Sequence, residues 1–289
     1  MKAERYIRML FAEPWAIVPQ ELWALVHGVP AALRAWKSGQ VRIEQDAVRA
    51  VEDAMEKARA REPTRPYEMV GEVAVVRVSG VFAKDASEAD EEWMGLVNPD
   101  RVGAALDAAL AADDVAGIVL AMDSPGGVAA GVPELAEQVR VAAAVKPVVA
   151  WTDTMACSAA YWVASQATEL LGTGSAVVGS VGVYLPLTDL SELYAKLGVK
   201  VHMIRGGKHK GVGHPGTELT EEQAEHLRGR VAYLYEWFVR DVQAARGIAA
   251  DALEGQSYYA EESVGMGFVD GVCGLDAAIE EAATHAANG

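Results

Sequence analysis

The sequence from residue 117 to residue 183 reads GIVLAMDSPGGVAAGVPELAEQVRVAAAVKPVVAWTDTMACSAAYWVASQATELLGTGSAVVGSVGV, and this stretch decides the fold. Apolar runs at 117–122 and 147–151 are typical of buried strands, and each is followed by a helical pattern, at 132–144 and at 159–168. Strands that alternate with helices indicate a parallel sheet with crossover helices. The sequence therefore predicts an α/β fold.

Small-residue turns follow both predicted strands. Residues 124–127 read SPGG, and Ser158 stands at the start of the second helical pattern. In open parallel sheets, ligands bind beyond the carboxyl ends of the strands. We therefore expect both turns to lie at the edge of the sheet where a site would form.

Composition narrows the possible functions. The chain has 289 residues, 51% of them hydrophobic, so it can bury a sizeable core. Its formal net charge of −16 argues against binding to nucleic-acid phosphates, which needs clustered Lys and Arg. Its two cysteines, Cys157 and Cys273, have neither metal-ligand spacing nor a disulfide pattern, which favours a reducing, cytoplasmic compartment. No apolar run approaches the roughly 18 to 20 residues of a membrane span, and the N-terminus lacks the apolar core of a secretory signal.

We predict three parts along the chain. Residues 1–65 form a helical N-terminal extension with amphipathic patterns at 19–36 and 44–61. This extension either packs on the core or forms an arm that docks on a neighbouring subunit. Residues 66–275 form the main domain, and the Ala-rich segment 276–289 is expected to be a flexible, frayed tail.

The main domain carries further patterns outside the deciding stretch. The longest predicted helix starts with a capping box, Thr220 with Gln223. We predict strands at 72–82 and 199–205, helices at 98–111, 187–197 and 220–246, and a solvated acidic loop at 84–93.

Ser158 is the candidate nucleophile. A helix N-terminus presents unpaired N–H groups and the positive end of the helix dipole, so an oxyanion forming beside this serine would be stabilised. The amide of Gly127, aimed across at the serine, would complete an oxyanion hole. The alternative is an ordinary N-cap serine, whose hydroxyl only satisfies the end of the helix.

A nucleophilic serine needs a base. A glycine-rich loop after the strand predicted at 199–205 offers Lys208, His209, Lys210 and His214. A lysine serves as a base only if desolvation lowers its pKa towards ~7 to 8. The residues alone do not choose among these four side chains.

Four motifs in this order resemble the serine peptidase family of signal peptide peptidase A, family S49, which includes phage capsid-assembly proteases. They are MDSPGG at 122–127, ACSAAYWVAS at 156–165, GSVGV at 179–183 and GGKHKGVGHP at 206–215. The similarity extends over residues 72–270. It implies a ClpP/crotonase-like spiral of β-β-α units.

The resemblance also implies roles for individual residues. It places the nucleophile at Ser158 and the general base at Lys210, and it makes Ser180 the residue that holds the lysine amine by a hydrogen bond. Oxyanion and substrate binding fall to Gly126, Gly127 and Ala159.

The implied function is that of a serine endopeptidase with a Ser-Lys dyad, which needs neither a metal nor another cofactor. The implied setting is a phage or prophage procapsid in the host cytoplasm, where the enzyme would cut scaffold, portal or itself. We expect a homo-oligomer that binds no nucleic acid and has no membrane span. Two alternatives stay open: a cellular protein-degrading enzyme similar to signal peptide peptidase, and a catalytically silent scaffold or assembly protein.

Overall fold

The structure, a computed structural model, describes residues 15–17 and 65–288. The described strands are β1 (Trp15–Ile17), β2 (Glu68–Val70), β3 (Val73–Ser79), β4 (Val81–Phe82), β5 (Leu96–Val97), β6 (Gly117–Ser124), β7 (Gly126–Val128), β8 (Val148–Cys157), β9 (Glu169–Gly172), β10 (Val177–Gly179), β11 (Ser257–Tyr259) and β12 (Gly271–Val272). The described helices are α1 (Glu88–Met94), α2 (Pro99–Ala111), α3 (Val132–Ala143), α4 (Ala159–Ala164), α5 (Ser191–Lys196), α6 (Glu221–Arg246), α7 (Ala260–Ser263) and α8 (Leu275–Asn288). Short 3₁₀ turns cover Ala250–Ala252 and Val264–Met266.

The larger of the two described sheets carries the deciding stretch. Its strands lie in the order β11-β10-β8-β6-β3-β2, and β9 pairs with the first half of β8 while β10 pairs with its end. Strands β3, β6, β8, β9 and β10 run parallel, which confirms the predicted parallel sheet. Their carboxyl ends therefore point the same way, and β8 continues to Cys157, beyond the apolar run that predicted it.

A smaller sheet, in the order β1-β7-β4-β5, follows the carboxyl ends of β3 and β6. Only Gly80 separates β3 from β4, and only Pro125 separates β6 from β7. Gly80 has a φ of +114°, and a Cβ there would collide with the carbonyl oxygen of Gly95, so only glycine fits this bend. The units β3-β4-α2, with α1 and β5 inserted, and β6-β7-α3 confirm the predicted spiral of β-β-α units.

Helices α2, α3 and α4 cover one face of the large sheet, and the main core lies between them and the strands. Val102 and Leu106 of α2 are buried there, as their helical spacing predicts. Trp162 of α4 stacks on Phe238 of α6 with ring centroids 4.5 Å apart, and both side chains are fully buried. The long helix α6, which begins with the predicted capping box, is thereby held against the helix that follows the candidate nucleophile.

Helix α8 covers the other face of the large sheet. Its Ala278 and Ala282 are buried against apolar side chains of β3, β6 and β8. The backbones of α8 and β6 come close together, because a Cβ on Gly117 would lie 2.7 Å from the carbonyl oxygen of Ala282. The prediction of a flexible tail is therefore wrong for Leu275–Asn288, since small side chains let this helix dock on the sheet.

Two local predictions are also wrong. The acidic segment is not a loop throughout: Ser87 and Asp90 form a capping box at the start of α1, and Gly95 ends the helix in the left-handed conformation. Residues 199–205 form no strand, and Ile204 among them is 98% exposed, so no sheet buries this segment.

The predicted helices at 19–36 and 44–61 lie outside the described residues. Within the part of the chain that the structure describes, no helix combines the length and the apolarity needed to cross a bilayer.

Candidate active site

Ser158 lies at the junction of β8 and α4, at the carboxyl edge of the large sheet. The preceding Cys157 pairs with Gly179 of β10, and the Ser158 amide donates a hydrogen bond to the Gly179 carbonyl at 2.7 Å. Ser180 directly follows Gly179 and therefore lies beside Ser158. Ser158 is 1% exposed and Ser180 is 9% exposed. The structure thus brings together the two serines that the sequence singled out.

Both serines have a backbone conformation that L-residues rarely adopt. Among the described non-glycine residues they alone have a positive φ, 56° for Ser158 and 54° for Ser180. Such a conformation costs about 1–3 kcal/mol and persists only where surrounding contacts hold it. The Ser180 amide is held by a hydrogen bond to the Gln256 carbonyl at 2.6 Å. Strain of this kind concentrates at functional sites.

The Ser158 hydroxyl has no hydrogen-bond partner among the described residues. It does not cap α4, in contrast to Thr220, whose hydroxyl accepts a hydrogen bond from an amide in the first turn of α6. The buried hydroxyls of Ser165 and Ser263 each donate to a backbone carbonyl. The interpretation of Ser158 as an ordinary N-cap serine is therefore wrong, and its hydroxyl stays free at the start of a helix.

Two backbone amides of the neighbouring turns differ in their hydrogen bonding. Ala159 provides the first amide of α4, and that amide donates to no described group. The Gly126 amide is engaged within its own turn, because it donates to the Ser124 hydroxyl at 3.2 Å. The Ser124 hydroxyl in turn donates to the Gly80 carbonyl at 2.6 Å, which fixes the shape of the SPGG turn.

The SPGG turn lies beside the Ser158 turn. Ser124 pairs with Ala156, two residues before Ser158, and α4 contacts β7. Gly127 is packed tightly against β4, since a Cβ there would collide with the backbone of Phe82. The structure therefore brings the turn that contains Gly126 and Gly127 next to the turn of Ser158 and Ala159, and their roles in oxyanion and substrate binding stay predictions.

Lys210 lies in a different environment. It is exposed, and its amine forms no hydrogen bond or ion pair with any described residue. Its backbone lies in a tight turn, where its amide donates to the Gly207 carbonyl at 3.1 Å. The structure does not bring Lys210 into contact with Ser158 or Ser180.

The other candidate bases have partners of their own. Lys208 forms an ion pair with Glu222 of α6. The ring of His209 stacks on a histidine of the same helix with centroids 4.5 Å apart, and its buried Nδ1 has no described partner. His214 lies 3.0 Å from the carbonyl oxygen of Pro215. None of these three side chains contacts Ser158.

Cys157, beside the candidate nucleophile, is fully buried. Its thiol donates to the Val177 carbonyl at 3.4 Å. Burial raises the pKa of this thiol to about 12, so it stays neutral near pH 7 and does not compete as a nucleophile.

Sequence analysis missed an apolar groove that begins two residues after Ser180. Val183 and Tyr184 line one side of it, and Leu227 and Val231 of α6 line the other. The Tyr184 hydroxyl is buried without a described partner, and burial raises its pKa to about 12. The alternating apolar residues between 183 and 187 are the sequence signal that could have found this groove.

One described group has the arrangement of possible metal ligands, and it lies far from the serines. Ligand atoms of Glu169, Glu281 and His285 lie within 4.8 Å of one another. Glu169 pairs with Val149 near the start of β8, so the group is at the opposite edge of the sheet from Ser158. His285 Nε2 is 3.1 Å from the Glu169 carboxylate, so a hydrogen bond between these two side chains accounts for their proximity.

Residues 140–288 match the family model of Peptidase family S49. The chain belongs to peptidase family S49. The matched region includes Ser158, Ser180 and Lys210, whereas the SPGG turn precedes it.

Two phage proteins are among the relatives of this S49 chain. Capsid assembly protease C of Escherichia phage lambda is 31% identical over 209 residues, which cover 71% of this chain and 47% of that protein. Head-tail preconnector protein GP5 of Enterobacteria phage P21 is 29% identical over 230 residues, which cover 78% of this chain and 46% of that protein. The chain spans about half the length of the curated relatives that it matches first.

The solved structures with a similar fold include a ClpP1 mutant from Listeria monocytogenes. It has a TM-score of 0.46 and 10% sequence identity, and the match covers 71% of this chain and 94% of that one.

Proposed function

We propose that this S49 chain is a serine endopeptidase in which Ser158 is the nucleophile and Lys210 the general base. The observation that carries the proposal is the Ser158 turn, where a buried residue on a strained backbone has a hydroxyl without a described partner and is followed by an Ala159 amide that donates to no described group. A serine that only packs needs no such arrangement. Ser165, one helix length further on, donates its hydroxyl to the Trp162 carbonyl at 2.8 Å.

The reaction begins when neutral Lys210 takes the Ser158 proton and Oγ attacks the carbonyl carbon of a peptide bond. The tetrahedral oxyanion accepts hydrogen bonds from the amides of Ala159 and Gly127, and losing one such donor costs about 3 kcal/mol of transition-state stabilisation. Lys210 then gives the proton to the leaving amine as the C–N bond breaks. Water hydrolyses the acyl-enzyme and restores the serine. The Gly126 amide, engaged by Ser124, shapes the turn instead.

The proposed reaction requires Lys210 to be buried near Ser158. A lysine becomes a base near neutral pH only when desolvation lowers its pKa. The Ser180 hydroxyl, which has no described partner, is available to hold the amine once the loop has closed. Exposed apolar side chains precede the loop, among them Leu197 at 68% and Ile204 at 98% exposure. Because such surfaces favour protein contacts, they support assembly into a homo-oligomer that buries this region.

The setting that we propose is a phage or prophage procapsid in the host cytoplasm. The similarity to a capsid assembly protease supports it. The polypeptide substrate would then be scaffold, portal or the chain itself. A gene position between portal and capsid genes would favour this setting over a cellular enzyme of the signal peptide peptidase type.

The test uses a serine-directed fluorophosphonate and intact-mass measurement on the assembled protein. We expect labelling of the wild type and none of Ser158→Ala or Lys210→Ala. Ser165→Ala and Lys208→Ala are the matched controls, because each removes the same kind of side chain nearby, and both should label as the wild type does. No labelling of the assembled wild type would instead favour a silent assembly protein, and loss in Lys208→Ala alone would reassign the base.

A further inference from the structure

Strand β1 lies on the edge of β7, the strand that contains the proposed oxyanion glycine. We propose that Trp15–Ile17 act as a tethered competitor, which occupies the polypeptide-binding edge of the active site until a substrate displaces it. This inference rests on the proposed function and adds a built-in restraint to it.

Strand β7 has one edge on which an added strand can pair. Its other edge is filled by β4, where Phe82 pairs with Gly127 and leaves no space for even a Cβ on the glycine. The remaining edge of β7 is paired with β1, as the order β1-β7-β4-β5 shows. An unpaired edge presents a row of N–H and C=O groups that any extended polypeptide can bind.

In this pairing, β1 lies directly opposite the glycine that carries the proposed oxyanion amide. Ala16 pairs with Gly127, and Ile17 pairs with Gly126. A peptide whose carbonyl carbon is attacked by Ser158 must bring its carbonyl oxygen to the Gly127 amide. A substrate strand and β1 therefore need the same edge, and only one of them can be bound at a time.

The contact is short enough to be displaced. Among the described residues, the three of β1 are the ones that pair with the outer edge of β7, and they belong to the same chain, so the competition is intramolecular. Such a competitor reduces the fraction of molecules that can bind substrate, and the apparent KM rises by the inverse of that fraction. The kcat does not change, because the bound complex is the same once β1 has left.

The first experiment removes the strand. Ala16→Pro combined with Ile17→Pro deletes two successive N–H groups, of which one faces β7 in either register of the hydrogen bonds. We expect the KM for a fluorogenic peptide to fall about tenfold at unchanged kcat, as for a site that is open about a tenth of the time. The matched control, Ala16→Val with Ile17→Val, keeps both donors and should behave as the wild type. An unchanged or raised KM in the proline pair would overturn the proposal.

The second experiment fixes the strand in place. Trp15 and Val128 are directly opposed, so Trp15→Cys with Val128→Cys can form a cross-strand disulfide. Cys273→Ser in the same protein removes the partly exposed native thiol. We expect peptide turnover to fall at least tenfold on oxidation and to return with a reductant. Equal turnover of the cross-linked and reduced forms would contradict the proposal.

A binding measurement separates this proposal from the proposed catalysis. In a Ser158→Ala background, a labelled peptide with the sequence of residues 12–20, AEPWAIVPQ, should bind about tenfold more tightly to the proline pair than to the valine pair. If this difference is seen while the fluorophosphonate labels no form of the protein, the strand proposal stands and the catalytic one fails. If labelling occurs and the prolines change neither the KM nor the peptide affinity, the catalytic proposal stands and the strand proposal fails.

Discussion

The turn at Ser158 and the loop at Lys210 differ in almost every physical respect. The turn is buried, held by interstrand hydrogen bonds and packed under helices that contain the largest core side chains. The loop is exposed, is followed by the start of α6 and is preceded by apolar residues without cover. The fold of one chain thus buries the turn of the proposed nucleophile but leaves the proposed base exposed.

This difference separates stability from activity. Substitutions near Ser158 disturb the core and the chemistry together, whereas substitutions in the loop change the proposed chemistry with little effect on the free energy of unfolding. Measuring the free energy of unfolding and kcat on the same variants therefore tests this difference between the turn and the loop.

The largest expected effect is on the free energy of unfolding, and it comes from a substitution in the core next to the Ser158 turn. Trp162→Ala removes a fully buried ring that stacks on Phe238, and we expect a loss of about 3–5 kcal/mol in the free energy of unfolding. Ile204→Ala, at a residue that is 98% exposed, should change it by less than about 0.5 kcal/mol. Urea unfolding measures both. Equal losses would mean that the segment before the loop packs as firmly as the core.

The next effect is on catalysis. Gly127→Ala forces a Cβ against the Phe82 backbone and shifts the proposed oxyanion amide, so kcat for peptide cleavage should fall by about 100-fold. The control is Gly229→Ala in α6, where an added Cβ meets nothing within 4 Å. That change should raise the free energy of unfolding by about 0.5–1 kcal/mol and leave kcat unaltered. A Gly127→Ala protein with normal kcat would remove this glycine from the mechanism.

The smallest effect concerns pH. The folded state keeps the Cys157 thiol neutral up to a pKa of about 12, while the unfolded thiol ionises near its ordinary value of 9.0. Stability from this group is therefore complete below pH 9 and is lost as pH rises towards 12. The advantage of wild type over Cys157→Ala should shrink by about 1 kcal/mol between pH 9 and pH 10.

Reduced samples in urea at a series of pH values measure this difference. Cys273→Ala should show a smaller change, because Cys273 is only partly buried. A difference between wild type and Cys157→Ala that does not vary with pH would contradict the expectation.

Much of the structure around the Ser158 turn could be predicted from the sequence, because its strands and helices have clear hydrophobic patterns over short stretches of chain. Apolar runs followed by small-residue turns indicate parallel strands, and adjacent parallel strands bring the residues after them together. The proximity of Ser158 and Ser180 is implied by the resemblance to family S49 and not by the strand pattern, because no strand is predicted directly before Ser180. The positive φ at both residues could not be predicted, since serine has no preference for it and only the tertiary contacts impose it.

The features that sequence analysis missed depend on distant partners. Helix α8 has a short, Ala-rich pattern, and its docking depends on Gly117, which lies far away in the chain. Helix α1 could not be recognised from its acidic composition, which is typical of a solvated loop, and only the Ser87–Asp90 capping box indicates a helix there. Strand β1 is three residues long, so it has too little periodicity to be found before its pairing with β7 is known.

Helix α8 has a practical consequence for anyone who shortens this chain. It shields an apolar face formed by valines of β3, β6 and β8 together with Trp151. A stop codon placed before Leu275 would present it to solvent, and the product should precipitate or self-associate during purification. Expression fragments therefore need to retain the chain through Asn288, even when only the turns at Ser158 and at residues 124–127 are of interest.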